Sequence, residues 1–316
     1  MGLFSKVRKN AGLLVTRFQD GGIRAASVRR PPSGLPIVDL LTFVPAEKSV
    51  IASPLEKLGK ELQANRYQCA NLLAAGEYQI LSVDAPNVPP DELKTAIRWR
   101  LKDMLDFRVE DATIDVLDVP VDKNAPVRNH SLYAIAARNQ LIQQRQAEFE
   151  AAKIPLGVID IPEMAQRNIA ALVEPEGRAL AMLSFDTEGG LLTVTCAGEL
   201  YLARRIDIAL EQLMSEDAEQ RHATFDRITL ELQRSLDHFD RQYHFLTLSK
   251  LMLAPLEQAA SGLQEYLASN LYVPVEILDL ETILDVSRFP KLKSPDEQRR
   301  CFLILGAALR HEEKVL

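Results

Sequence analysis

One pattern occurs twice in this sequence, and the repeat restricts the fold more than any other feature. Residues 15–44 carry VTRFQ, IRAASV and PIVDLLTFV, joined by Asp20-Gly21-Gly22 and by a turn through Pro31-Pro32-Ser33-Gly34. Residues 178–208 carry RALAMLSFD, GGLLTVTCAG and ELYLARRIDI, again with glycine at the joints. Apolar segments of this length bounded by glycine and proline read as neighbouring strands, because those residues fix chain reversals. Each set is followed by helical patterns. A chain of 316 residues has room for two such units, so a duplicated α/β architecture is expected.

The connecting segments fill in this frame. PLEKLGKELQANR (54–66) has Leu55, Leu58 and Leu62 at helical spacing, and YQCANLLA and AAGEYQILSVDAP follow as strand-like segments. Pro86, Pro89 and Pro90 then open a helix over DELKTAIRWRLKDML (91–105), with Leu93, Ile97, Leu101 and Leu105 on one side. DATIDVLDVPV and SLYAIAAR read as strands joined by the polar loop DKNAPVRNH, and QLIQQRQAEFEAAKI as a second helix. Residues 80–156 thus form a small α/β unit of their own. Beyond it lie a strand GVIDIP, a helix EMAQRNIAALV and a linker Glu174–Gly177. The second half continues with a long helix ATFDRITLELQRSLDHFDRQY, then KLMLAP, SGLQEYLASNL, VPVEILD and the final helix DEQRRCFLILGAALRH.

Charge and composition exclude several functions. A net charge of −7 disfavours nucleic acid as a partner, since neutralising phosphates needs a concentrated Lys/Arg surface. One local basic stretch, GLFSKVRKN with Lys6, Arg8 and Lys9, reads either as a membrane-surface segment or as a solvated terminus. No stretch approaches the ~20 apolar residues of a bilayer span, so the chain is expected to stay in the cytoplasm unless a partner tethers it. Cys69, Cys196 and Cys301 are widely separated, which fits reduced thiols, and the five histidines show no metal-binding spacing. His238 and His244 lie six apart and do not share a helix face, and Ser235 has no glycine-flanked elbow, so neither suggests catalysis. Trp99, in Arg98-Trp99-Arg100, falls away from the apolar line of its helix; it is either an exposed anchor for a partner or packed beneath a neighbouring strand.

Several segments together resemble the PilM family of type IV pilus assembly proteins, and within it the MshI branch of MSHA (agglutinin-pilus) biogenesis. They are LSVDAPNVPPDELKTAIRWRLKDMLDFRVEDATIDVLDV (81–119), YAIAARNQLIQQRQAEFEAAKIPLGVIDIPEMAQRNIA (133–170), GELYLARRI (198–206), ELQRSLDHF (231–239) and YLASNLYVPVEILD (266–279). The resemblance implies an actin-like fold of the FtsA/PilM type: two ribonuclease H-like halves with a small α/β subdomain inserted in the first. The first half would comprise 1–79, 157–177 and the C-terminal helix 295–316; the insertion 80–156; the second half 178–294. It also implies a non-enzymatic scaffold at the inner face of the bacterial inner membrane, beside the pilus assembly ATPase and platform proteins. Its partner would be the cytoplasmic tail of a bitopic, PilN-like membrane protein, held between the first core subdomain and the insertion. The related secretion protein GspL carries its own transmembrane helix, whereas this chain is expected to rely on a separate membrane partner.

The family's nucleotide motifs can be placed on this sequence. Actin-like sites use a D-x-G turn in each half, the carboxylate for magnesium and the glycine so that backbone N–H groups approach the phosphates. Counting back from IRAASV, the first falls on Arg17, Phe18 and Gln19; Asp20-Gly21-Gly22 lies too late. Counting back from GELYLARRI, the second falls on Ser184, Phe185 and Asp186. The third, a glycine-rich turn that seats the adenosine, falls on Ala254, Pro255, Leu256 and Glu257, where proline lacks an N–H. Three degenerate elements imply that no ATP, magnesium or other cofactor is required. The alternatives are an ATP-binding actin-like ATPase or switch of the same machine, for which Asp20 and Asp186 would be the residues to mutate, and a GspL-like module of type II secretion.

Overall fold

Asp20 and Gly21 both adopt positive φ, 51° and 69°, and turn β1 (Leu13–Gln19) directly into β2 (Gly22–Arg29). Asp-Gly suits such a two-residue hairpin, because its backbone twist matches that of the flanking strands. The computed structural model describes residues 12–46, 53–89, 91–121, 131–257, 260 and 262–311; the basic stretch at Lys6–Lys9 and the loop 122–130 lie outside these residues.

The first sheet has the order β3-β2-β1-β4-β8, with β3 (Ile37–Pro45), β4 (Gln68–Leu72) and β8 (Leu156–Asp160). β1, β2 and β3 are antiparallel, and β4 and β8 run parallel to β1 and to each other. The second sheet repeats it as β11-β10-β9-β12-β13, from β9 (Ala179–Asp186), β10 (Gly189–Cys196), β11 (Glu199–Ile206), β12 (Leu248–Leu253) and β13 (Val275–Ile277). Neighbouring residues serve opposite faces: Leu14, Ala25 and Cys69 point to one core, Val15, Ala26 and Ala70 to another. Both faces are buried, which explains why these strands read as nearly continuous apolar runs rather than alternating ones.

The shared core between the sheets is built on α4 (Pro162–Ala170) and α8 (Pro295–Ala308). They cross at Gly306, where an added Cβ would lie 2.2 Å from the Ala165 carbonyl oxygen. Only glycine permits that approach. Asn168 Nδ2 donates to the Gly306 carbonyl at 3.0 Å, pinning the crossing. The outer face of the first sheet is covered by α1 (Pro54–Glu61) and α3 (Asn139–Ala151), and that of the second by α6 (Ala218–Gln242) and α7 (Gly262–Asn270).

Between β4 and α3 the chain forms a third sheet, β5-β7-β6, from β5 (Tyr78–Asp84), β6 (Ala112–Asp118) and β7 (Ser131–Arg138), with both pairings antiparallel. One face carries α2 (Leu93–Leu101) through Ile97 and Leu101. The other reaches the second half: Tyr133 Oη donates to the Tyr201 carbonyl at 3.2 Å and accepts from Ala203 N at 3.0 Å, both on β11. Two sheets of one order about a helix pair, with a subdomain inserted in the first half, constitute the actin-like fold.

Several boundaries differ from the sequence expectation. The 54–66 helix ends at Glu61, where Gln63 at φ 50° breaks it into a separate 3-10 turn over Ala64–Arg66. α2 starts at Leu93 and stops at Leu101, so Leu105 packs against its core from beyond the helix. α6 begins earlier than its apolar line, at Ala218, because the Asp217 side chain caps it by accepting from Glu219 N and Gln220 N. A short helix, α5 (Leu210–Leu213), lies in a segment assigned no helix from sequence.

Candidate functional site

The ends of β1, β9 and β12 face one another across a cleft of about 610 Å³. Topology brings all three degenerate motif positions here: Arg17 and Gln19, Ser184 and Asp186, Ala254 and Pro255 line it together. Leu256 does not belong to the lining; it is buried in the core of the second half.

Arg17 is only 6% exposed. Its Nη2 lies 2.9 Å from Asp186 Oδ2 and 3.1 Å from Glu188 Oε2, so one guanidinium pairs with two carboxylates of the opposite half. Arg299 and Glu257 form a further ion pair in the lining, and Arg24 pairs with Glu297 at 2.9 Å behind it. Gln19 Nε2 donates to Asp20 Oδ2 at 3.1 Å. The Ser184 hydroxyl is committed to the interior: it donates to Gln166 Oε1, while Gln166 Nε2 donates to the Met182 and Leu191 carbonyls and to Thr193 Oγ1. Gln166 is fully buried, so α4 is bolted to β9 and β10 by one satisfied amide.

Polar contacts continue from the cleft to the root of the inserted subdomain. Glu188 Oε2 also accepts from Ala75 N at 2.9 Å, in the connection between β4 and β5. Two residues on, Glu77 accepts from Ala74 N at 2.9 Å and pairs with Arg145 of α3. The Arg145 guanidinium lies over the ring of Phe18, 4.2 Å from its centroid, and also meets Glu148 at 3.0 Å. Next in the chain, Tyr78 hydrogen-bonds Glu163, and Arg205 of β11 reaches Glu163 at 3.0 Å and the Tyr78 hydroxyl at 2.7 Å. Glu163 has no exposure, so it needs both partners. Burial, then the adjacent Glu163 charge, pushes the Tyr78 phenol well above its ordinary range. Desolvation opposes the Arg205 cation and is the largest single influence on it, but Glu163, Tyr78 and Asp186 together outweigh it and the net direction is upward.

A second concavity, of about 410 Å³, lies between α1 of the first half and the end of α3, lined by Glu56, Gly59, Lys60, Gln63, Asn65 and Lys153 among others. The helices approach closely at Gly59, 3.0 Å from an added Cβ to the Ala152 carbonyl.

On α2, Trp99 is 72% exposed, and Met104 just beyond the helix is 46% exposed. Of the two readings open from the sequence, exposure holds. Arg100 is exposed beside it, whereas Arg98 is turned inward, donating to the Val109 and Ala112 carbonyls at 2.7 and 3.2 Å. Arg98 therefore anchors its own subdomain. His238 and His244 are exposed, and Ser235 Oγ donates back to the Glu231 carbonyl. All three cysteines are buried and unbridged. Among the described residues, no group of three or more His, Cys, Asp or Glu is arranged to hold a metal, and no helix is long and apolar enough to cross a membrane.

Sequence reasoning did not single out Glu188, Glu163, Gln166, Arg205 or Arg299. A signal existed for two of them: Glu163 and Gln166 interrupt the otherwise apolar EMAQRNIAALV, and polar residues on a buried helix usually meet a partner.

No protein-family model and no curated protein matches this sequence. Solved structures do. A chain of a PilM–PilN type IV pilus biogenesis complex is 18% identical with a TM-score of 0.70, over 95% of this chain and 98% of that one. The cytoplasmic domain of EpsL, an inner-membrane component of the type II secretion system of Vibrio cholerae, is 17% identical with a TM-score of 0.42, over 64% and 73%. A Bacteroides thetaiotaomicron protein with an actin-like ATPase fold and unknown function is 12% identical with a TM-score of 0.49, over 92% and 99%. The likeness is one of fold, and of the three the first has the TM-score of a shared whole-chain architecture.

Proposed function

We propose that this chain is a non-enzymatic scaffold of a type IV pilus assembly machine, PilM-like and in its finer identity MshI-like in an MSHA pilus system. It would work at the cytoplasmic face of the inner membrane, holding the cytoplasmic tail of a bitopic, PilN-like partner and engaging the assembly ATPase and platform proteins. One observation carries the reading. In a fold shared over 95% of the chain with a component of a PilM–PilN complex, the cleft between the halves is spanned by Arg17 and its two carboxylates.

Nucleotide phosphates entering this cleft would have to displace the carboxylates of Asp186 and Glu188 from Arg17, exposing two negative charges to a third. Pro255 offers no N–H on the far side. Those features support function without nucleotide or magnesium. The tail's place is the groove between α1 and the end of α3, where the first half meets the last helix of the 80–156 segment; an extended segment would bind there through backbone hydrogen bonds and shallow side-chain pockets.

Two measurements test this. A peptide of the partner's cytoplasmic tail should bind the full chain and lose binding when 80–156 is deleted in a variant that still unfolds cooperatively; retained binding removes the groove assignment. Millimolar Mg-ATP should leave thermal stability unchanged, whereas a ligand at a hundred times its dissociation constant adds about 2.7 kcal/mol, and a shift of that size would overturn the nucleotide-free reading.

A further inference from the structure

We propose that Glu188 is a coupling residue, through which closure of the cleft by Arg17 fixes the position of the inserted subdomain relative to the first half. One carboxylate oxygen, Oε2, accepts from Arg17 Nη2 at 3.1 Å and from Ala75 N at 2.9 Å. Glu188 sits in the β9–β10 turn of the second half, Arg17 on β1 of the first, and Ala75 in the connection that leads into the insertion. The atom is thus shared by all three units. The far end of that connection is secured by Glu77, which binds Arg145 of α3, and Arg145 stacks on Phe18, the residue after Arg17. The contacts form a closed circuit that begins and ends on β1.

The insertion is fastened to both halves. Tyr133 ties its sheet to β11, and β7 runs directly into α3, whose Phe149 is wholly buried in the core of the first half. Any rotation of one half against the other must therefore be borne by the insertion. Two ionic sites hold its root, and they differ in softness. Glu163, with Tyr78 and Arg205, has no solvent exposure and acts as the pivot. The Glu188 side chain is 29% exposed, so water and salt compete for it, and it acts as the releasable latch. With the latch broken, the insertion swings about Tyr78 and its sheet shifts relative to the α1–α3 groove, whose two walls stay packed in one core. The geometry of the latch stands without any partner; that this groove receives a tail rests on the proposed function.

Trp99, the sole tryptophan, reports on the insertion, and the buried native cysteines leave a thiol introduced by Lys57→Cys on α1 as the accessible labelling site. Energy transfer from Trp99 to an acceptor there measures the distance between insertion and first half in the full chain. Arg17→Gln and Glu188→Ala should change the transfer efficiency and raise amide exchange over 73–77 about tenfold, while Arg234→Gln, which cuts an exposed pair on α6, should do neither. Glu188→Gln keeps an acceptor for Ala75 N but loses the ion pair, and should fall between. In the unsubstituted latch, added salt should reproduce the transfer change, and in the Glu188→Ala background it should not. Unchanged transfer and exchange in folded Arg17→Gln and Glu188→Ala, or an equal salt response in both backgrounds, would overturn the coupling. A tail peptide that fails to bind while these shifts occur would instead remove the functional reading and leave the coupling intact.

Discussion

Arg17 and Asp186 stand 169 residues apart in the chain and meet at 2.9 Å across the cleft. Each comes from the end of the central strand of its sheet, so the pair measures the closure of one half on the other. Arg17 is buried and has a second carboxylate at Glu188, which makes it the costlier residue to remove. Arg17→Ala should lower stability by about 1.5–3 kcal/mol, and Asp186→Asn by less, because Glu188 continues to balance the guanidinium. A double-mutant cycle in urea should give a coupling of at least about 0.5 kcal/mol. Strict additivity would mean that the ion pair contributes nothing to closure.

The α4–α8 crossing brings two backbones into close contact in the shared core. Gly306→Ala places a methyl where the Ala165 carbonyl already lies, and the helices must separate. We expect a loss of about 1–3 kcal/mol by chemical denaturation, against the small gain an alanine gives in an unobstructed helix. A neutral or stabilised variant would show that the helices can part without cost.

Stability should fall in alkali. Burial pushes the Cys69 and Cys301 thiols from an ordinary 9.0 up to about 12, with Arg24 opposing the shift at Cys301 without reversing it. The folded state therefore holds these protons more tightly than the unfolded chain. Below about pH 9 both states are protonated and the contribution is complete; from there to about 12 the unfolded state ionises first and stability is lost. Tyr78, also raised, adds in the same direction. Urea midpoints across this range should decline, and the decline should be shallower in a variant carrying Cys69→Ala and Cys301→Ala. A thiol reagent at pH 8 should meet no reactive cysteine in the native protein.

Within the insertion, adjacent residues should behave oppositely. Trp99→Ala removes an exposed ring and should stay within about 0.5 kcal/mol of the parent, while Arg98→Ala leaves the Val109 and Ala112 carbonyls without their donor and should cost about 1–2 kcal/mol. Native Trp99 fluorescence should be red-shifted and quenched by acrylamide. A blue-shifted, protected emission would mean that Trp99 is covered in solution.

What the sequence made legible was local. The Asp20-Gly21 turn, the three-segment runs and the apolar lines of α1 and α2 all follow from turn chemistry and periodicity acting over a few residues. The positions of Arg17, Ser184 and Asp186 could be named by register, yet not what they would touch. Arg17 looks like the loss of an aspartate until Asp186 and Glu188 are brought across from the second half. Ser184 looks like an available hydroxyl until Gln166 arrives from α4. Leu256, placed by register on the site, points into the core because the chain turns inward after Pro255. Helix ends were missed for related reasons: Gln63 takes a left-handed conformation that no periodicity announces, and Asp217 caps a turn of α6 that has no apolar line of its own.

The shared core also sets a schedule for synthesis. Val15 and Ala26 bury one face of the first hairpin against Phe302 and Leu305, while Arg30 donates to the Leu309 carbonyl at 2.8 Å. At ~5–20 residues per second, roughly 15–60 s separate emergence of the first strand from that of α8. Throughout that interval the nascent chain presents an apolar hairpin face whose cover has not been made. Such a face is the kind of surface that chaperones shield, and its exposure lengthens wherever the ribosome pauses before α8.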